Sequence, residues 1–403
     1  MVLKSVLRVT GSPLSLRLLA PLSLANGVAV STLYVNQGLL SRVGEDFGVS
    51  AQSLPLPAAT LLGYALGVAG LAAFARDLAD QRVLAAHHIG LVAALCMAAA
   101  AFSPAMLVAA CFLVGVGCAL TQRLLCCATQ AASSRHRARN IGVVVAAGLC
   151  GIILARACGP ELAAVLGWRG VFWANAVLAA LAGLGSWAAL ARSRLPLLDE
   201  SPVPVPTVAA LWKEYAMLRS SAVQHAAMFA AFNMAWVAFP LTVSGIGGRP
   251  AALIAVVALL GAGAAFMSGR CCGKFGPARV ASVGIAAIAF SGAAWALGEQ
   301  TSISCYVWMA LIDGGTQVAL VANQTRVQSL VSTAPARGRL AAILTTVGFA
   351  GGAVGSAIGQ LLAHQGHVSA VWGIVGLLGA FGMVVGRASS GAVRRAMPHS
   401  ATA

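Results

Sequence analysis

Apolar runs of about 20 residues recur along the whole chain, and no other feature of the sequence narrows its possible folds so far. At about 1.5 Å per residue, each run makes a helix about 30 Å long, matching the hydrocarbon thickness of a bilayer. Lipid offers no partners for backbone N–H and C=O groups, so such a run spans as a helix that satisfies its own. Twelve runs are counted: 17 to 39, 54 to 75, 84 to 103, 105 to 128, 140 to 164, 171 to 191, 222 to 243, 251 to 269, 278 to 298, 303 to 324, 340 to 362 and 368 to 387. Only 9% of the 403 residues are charged and 59% are hydrophobic, whereas about one quarter of an average soluble domain is charged. The N-terminus carries Lys4 and Arg8 ahead of an apolar run, as a signal peptide does. That run continues through Val35 without a small-residue cleavage site, so it is read as a retained first span.

The net charge of +16 suggests nucleic acid or another polyanion until the charges are placed. With both termini inside, 20 of the 26 Lys and Arg fall in cytoplasmic segments, and only Arg42, Arg169 and Arg249 lie outside. Arg123, Arg156 and Arg326 remain within or near spans. This asymmetry follows the positive-inside rule, so the basicity reports topology and no nucleic-acid partner is expected. The expected location is a bacterial inner membrane, crossed many times, with both ends in the cytoplasm. The ten cysteines sit mostly in or beside apolar spans, without CxxC spacing. They read as small packing residues, and no metal or other cofactor is expected.

The longest polar connection, residues 192 to 219, contains RSRLPLLDESPVPVP and reads as a cytoplasmic linker. It divides the chain into six spans over residues 1 to 191 and six over 220 to 403, the latter ending in a short cytoplasmic tail. The halves echo each other at a spacing of about 200 residues: LLGYALG at 61 to 67 with LLGAGAA at 259 to 265, and RHRAR at 135 to 139 with ARGR at 336 to 339. An even number of spans per repeat implies two six-helix bundles of the same orientation, related by a pseudo-two-fold axis along the membrane normal. The predicted fold is therefore an all-α membrane protein. Helices in lipid associate where small residues let backbones approach, and Gly351, Gly355 and Gly359, like Gly63 and Gly67, repeat at a spacing of four.

Polar residues inside spans are few and therefore informative. A carboxylate near the bilayer centre costs roughly 2.5 to 3.5 kcal/mol, so it belongs in a bundle interior or a wet cavity. Asp313 lies about ten residues into its span; Gln317 follows one turn later, and Gln324 returns to within about 20° of it at 100° per residue. Three roles are open for Asp313: a structural tie, a proton carrier and a direct substrate contact. Arg156 and Glu161 form either a local pair or a gate. Asn26, Asn36 and Gln37 in the first span, with Asn233 and Trp236 in the seventh, either line a substrate cavity or pack.

Three further stretches carry a resemblance. LAAFARDLADQRVL at 71 to 84 offers Asp77 as the acid and Arg82 as a base of a loop G-x-L-a-D-r-x-G-r-[R/K]. ARACGPELAA at 155 to 164 places Ala155, Gly159 and Pro160 in a fifth-span pattern g-x-x-x-G-P-x-x-G-G. The sequence DGGTQVALVANQTR, with PARGRL and FAGGAVGSAIG following it, is similar to a group of uncharacterised bacterial exporters. Through these motifs nearly the whole chain resembles the major facilitator superfamily, and within it the twelve-span drug:proton antiporter branch. The basic residue that this branch carries early in its fourth span is absent from CFLVGVGCAL; Arg123 comes later.

The resemblance implies a secondary transporter, working as a monomer, that exports a small organic compound by alternating access with protons as the coupling ion. An uptake symporter of the same class and, from other classes, a transport-dead receptor or a membrane enzyme are the rivals. An aspartyl intramembrane protease needs two acids on facing helices, and only Asp313 is central. A receptor normally adds a sizeable soluble domain, and none is evident.

Overall fold

The computed structural model describes residues 16–74, 81–130, 134–193, 206–244, 251–298 and 301–396, and their regular elements are all helical. In chain order these are α1 (Leu16–Tyr34), α2 (Leu40–Phe47), α3 (Leu56–Phe74), α4 (Gln81–Ala99), α5 (Pro104–Cys118), α6 (Leu120–Gln130), α7 (Ser134–Ser193), α8 (Val208–Glu214), α9 (Ala216–Ser244), α10 (Ala251–Phe275), α11 (Pro277–Leu297), α12 (Ser302–Gln328), α13 (Ala334–His364) and α14 (Val368–Ala396).

Eleven helical stretches are long and apolar enough to cross a membrane. One of them, Asn140–Ser193, runs for 54 residues, roughly 80 Å at helical rise and far beyond one bilayer. It breaks at Gly167, whose φ of 69° and ψ of 167° lie outside helical space and are open essentially to glycine alone. That break makes twelve spans, in the places the apolar runs predict.

Two run boundaries differ. The run 105–128 divides into α5 and α6, because α5 closes at Cys118 with Ala119 as its C-cap. The first run leaves α-helical geometry at Tyr34 and continues as a 3₁₀ turn, Val35–Gly38. The linker also contributes helix α8. Thr207 caps α8 by accepting from the Ala210 N–H at 3.2 Å, and Leu211 packs with Leu218, Leu340 and Leu344.

The chain separates into two compact units. The first contains α1, α2 and α4 to α7. Its tightest seam joins α1 to the first part of α7, where the Gly27 carbonyl lies where a Gly151 side chain would start. Asn26 donates to the Val144 carbonyl at 2.9 Å on the same seam. Farther along, the Pro160 ring closes on Gly38 of the 3₁₀ turn. Beside the α7 break, Arg169 pairs with Asp46 of α2 and donates to the Ala101 carbonyl at 3.0 Å, and the Trp168 indole also donates to Asp46.

The second unit contains α3 and α8 to α14, so packing places α3 apart from its sequence neighbours. Within it Gln360 donates to the Leu54 carbonyl at 2.7 Å, and Tyr64 meets Phe349 edge-on at 4.5 Å. The glycine row of α13 faces α9: side chains added at Gly351 and Gly355 would run into the Ala226 and Ala230 backbone, and one at Gly359 would press on Met234. Trp295 and Trp372 stack at 3.4 Å in the core of this unit, with Phe239 edge-on to Trp295.

Candidate functional site

Asp313 lies in the α12 span, Ile303–Gln328, at 2% exposure. It is the only buried acid among the described residues. Two neighbouring helices hold its carboxyl. From α9, the Trp236 indole N–H donates to Oδ1 at 3.0 Å. From α10, Gly261 presents bare backbone: a side chain there would occupy the position of Asp313 Oδ2. Gln317 lies along the same α10 surface, its Cγ 3.5 Å from where a Gly261 side chain would begin. A carboxyl held at Oδ1 by a donor that never ionises keeps its orientation whether or not it carries a proton. The arrangement therefore suits a group that gains and loses a proton without losing its place.

The remaining predicted residues divide by environment. Asn233 is fully buried one turn before Trp236, its Nδ2 donating to the Phe229 carbonyl at 2.9 Å, while its Oδ1 has no hydrogen-bond partner. Asn26 is committed to the α1–α7 seam. Asn36 is buried and Gln37 half-buried in the 3₁₀ turn. On α7, Ala155 and Gly159 are buried, and Gly159 lies against Val35 at 3.6 Å from its would-be side chain. Arg156 is buried at 6% exposure with its guanidinium 4.9 Å from the centre of the Tyr34 ring, whereas Glu161 is exposed. Five residues separate them, about 140° around a helix, so they face different surroundings. Arg82 is exposed at the start of α4, and Asp77 lies outside the described residues.

Some buried positions carry no signal in the sequence. Gly261 is one glycine among 45. Asn323 is completely buried with neither amide atom hydrogen-bonded, while its neighbour Gln324 is only half-buried. An ideal 100° step puts Gln324 on the Asp313 face and Asn323 about 80° away from it, so the buried face of α12 is wider than a single stripe. His225 is buried at 1% exposure and stacked on Phe229 at 4.9 Å, inside α9 rather than at its interfacial edge.

Known proteins resemble the chain along most of its length. Residues 22–334 match the family model of the Major Facilitator Superfamily. The uncharacterized transporter YgaY of Escherichia coli O157:H7 is 28% identical over 354 residues, covering 86% of this chain and 88% of its own. Among solved structures, a variant of the nucleoside transporter NupG superposes with a TM-score of 0.69 at 14% identity, over 92% of this chain and 99% of its own. A bacterial homologue of the human lysosomal transporter Spinster, inward-facing and unoccupied, gives 0.71 at 17% identity, over 94% and 98%.

Proposed function

The chain belongs to the major facilitator superfamily, and from that premise we propose that it is a proton-coupled exporter of a small organic compound. In this reading it sits in a bacterial inner membrane with both termini cytoplasmic. Its repeats, residues 1 to 191 and 220 to 403, joined by the linker 192 to 219, alternate access to the substrate. Proton coupling rests on one observation: Asp313, the only buried carboxyl among the described residues, is held by Trp236 against the bare backbone of Gly261. A proton arriving from outside neutralises the carboxyl, and release to the cytoplasm restores its charge while substrate moves the other way. Through that cycle the Trp236 N–H fixes Oδ1. The fifth-span pattern Ala155, Gly159 and Pro160 supports export, since the antiporter branch carries it. A transporter function is supported by the match along 86% of the chain to a bacterial relative that is itself a transporter.

The test compares two modes of transport in reconstituted vesicles, using a compound found by screening in an efflux-deficient bacterium. Asp313→Asn keeps the shape and most hydrogen bonds but cannot titrate. The variant is expected to fold, to lose uphill proton-driven efflux, and to retain substrate exchange that moves no net proton. Undiminished uphill efflux ends the proton-carrier role. Joint loss of exchange and binding reassigns Asp313 to the substrate.

A further inference from the structure

In the second unit, α10 and α11 contain no Asp or Glu from Ala251 to Leu297. At the end where a single residue, Gly276, joins them, they carry Arg270, Lys274 and Arg279, all exposed. The matching connection of the first half is balanced. At the spacing that sets Leu61 on Leu259, residues 71 to 84 correspond to residues 269 to 282; the former hold Arg76, Asp77, Asp80 and Arg82, the latter three bases and no acid. Topology does not ask for that difference, because acids count for little in the positive-inside rule. Three bases without an acid make a local charge of +3, which acts instead on whatever lies beside it.

Aromatic rings accompany these charges. Phe266, Arg270 and Lys274 follow one another at a spacing of four and so share one face of α10. The Arg270 guanidinium lies over the ring of Phe266, 4.3 Å from its centre, and the Lys274 ammonium is 5.1 Å from the centre of the Phe275 ring. Both rings are exposed, Phe266 at 67%. The span in α10 is Leu253–Phe275, which puts Arg270 within about 8 Å of its end at 1.5 Å per residue, near the level where hydrocarbon gives way to headgroups. Basic side chains at that level lay their stems along apolar surface and keep the charge in the polar layer. The face therefore runs from a phenyl ring to a guanidinium to an ammonium, in the order in which a phospholipid presents its upper acyl chain, its glycerol and its phosphate.

We infer that this end of α10 and α11 binds an anionic phospholipid of the phosphatidylglycerol type in the inner leaflet. The Arg270 guanidinium, held over Phe266, meets two phosphate oxygens with its fork. Lys274 and Arg279 add charge on either side of Gly276, and Phe266 lies against the glycerol and the top of an acyl chain. A zwitterionic lipid brings its own cation into the same field and gains less. The occupant is a lipid and not free phosphate, because the exposed rings beside the bases call for an apolar partner. Placement in the inner leaflet rests on the proposed orientation; the surface itself rests neither on export nor on proton coupling.

The experiment is native mass spectrometry of the purified full-length chain in neutral detergent, titrated with phosphatidylglycerol, with phosphatidylethanolamine of the same acyl chains, and with glycerol 1-phosphate. Phosphatidylglycerol is expected to bind saturably and more tightly than phosphatidylethanolamine, and glycerol 1-phosphate not to displace it. A basic residue near an anionic surface is worth about a fivefold change in binding. Combining Arg270→Gln, Lys274→Gln and Arg279→Gln should therefore weaken phosphatidylglycerol binding by roughly tenfold or more. Combining Arg192→Gln, Lys213→Gln and Arg337→Gln removes the same charge from other assigned cytoplasmic segments and should change it little. Phe266→Leu keeps an apolar side chain but removes the ring; it should weaken binding less, and it carries the test if the first triple variant does not insert. Equal binding of the two lipids, equal weakening by the two triple variants, or displacement by glycerol 1-phosphate overturns the site. Asp313→Asn should bind phosphatidylglycerol like the wild type, so loss of proton-driven efflux in that variant and loss of lipid binding in the other are independent results. Labelling that places the linker outside the cell would overturn the inner-leaflet placement.

Discussion

Asp46 and Asp313 are both aspartates held by an indole N–H, and their surroundings give them different work. Asp313 is buried in a span; Asp46 is exposed on α2, where the Arg169 hydrogen bond above all holds its carboxylate below the usual carboxylate range, desolvation opposing it and the Trp168 hydrogen bond and the Arg169 charge adding smaller lowering effects. A carboxylate whose folded pKa is lowered stabilises the fold above its unfolded value, near pH 4, and that contribution disappears as pH falls through the lowered folded value. Acidification below about pH 4 is therefore expected to lower the melting temperature of the wild type more than that of Asp46→Asn. The effect should be modest, as for other exposed pairs, and should shrink in high salt. Melting temperature followed against pH in both proteins is the check, and parallel curves would remove the ion pair from the stability of this end of the unit. Asp313 was legible in the sequence because one acid in an apolar run has few explanations. Its partners were not: Trp236 and Gly261 reach it from other helices, and neither residue type by itself announces a contact.

At the scale of elements the glycine row of α13 shows what lipid demands of packing. Burying apolar surface gives helices in a bilayer little reason to associate, so close backbone approach and dispersion take over. The row meets α9 at Ala226, Ala230 and Met234, leaving no room for a side chain at Gly355. Gly355→Leu should push α13 from α9 and destabilise the second unit by about 1 to 3 kcal/mol or more, the range for overpacked cores. Reduced yield of monodisperse protein and a lower melting temperature in detergent are the expected readouts; wild-type values in both would mean the helices separate there without loss. The spacing of these glycines and the break before residue 171 were readable, because glycine periodicity and the fixed bilayer thickness both leave marks in a sequence. The division of α5 from α6 was not, since the run there is largely apolar and the helix boundary falls at Ala119, an ordinary alanine. The packing of α3 with the second unit was hidden too, because chain order says where a helix is connected and not which helices it touches.

At the scale of the whole molecule, the distribution of charge should fix the orientation in the membrane. Insertion keeps Lys and Arg near the ends of spans on the cytoplasmic side, and acids contribute little to that choice. In the proposed orientation the cytoplasmic segments hold 20 of the 26 basic residues and the three outer ones are Arg42, Arg169 and Arg249. Orientation in turn bears on the role proposed for Asp313, because a proton carrier couples to the gradient only if its two exits face opposite compartments. The prediction is made on a background lacking the ten native cysteines, all of which are free thiols. Arg42→Cys should react in intact cells with a membrane-impermeant maleimide, since Arg42 is an exposed residue at the start of α2. Ser201→Cys, in the linker, should react only after the cells are opened. Labelling of Ser201→Cys from outside would invert the molecule, put the basic segments on the wrong face and remove the charge argument for a cytoplasmic linker. Labelling of Arg42→Cys alone, with gradient-driven export by the same cells, would join the orientation read from charge to the direction read from the fifth-span motif.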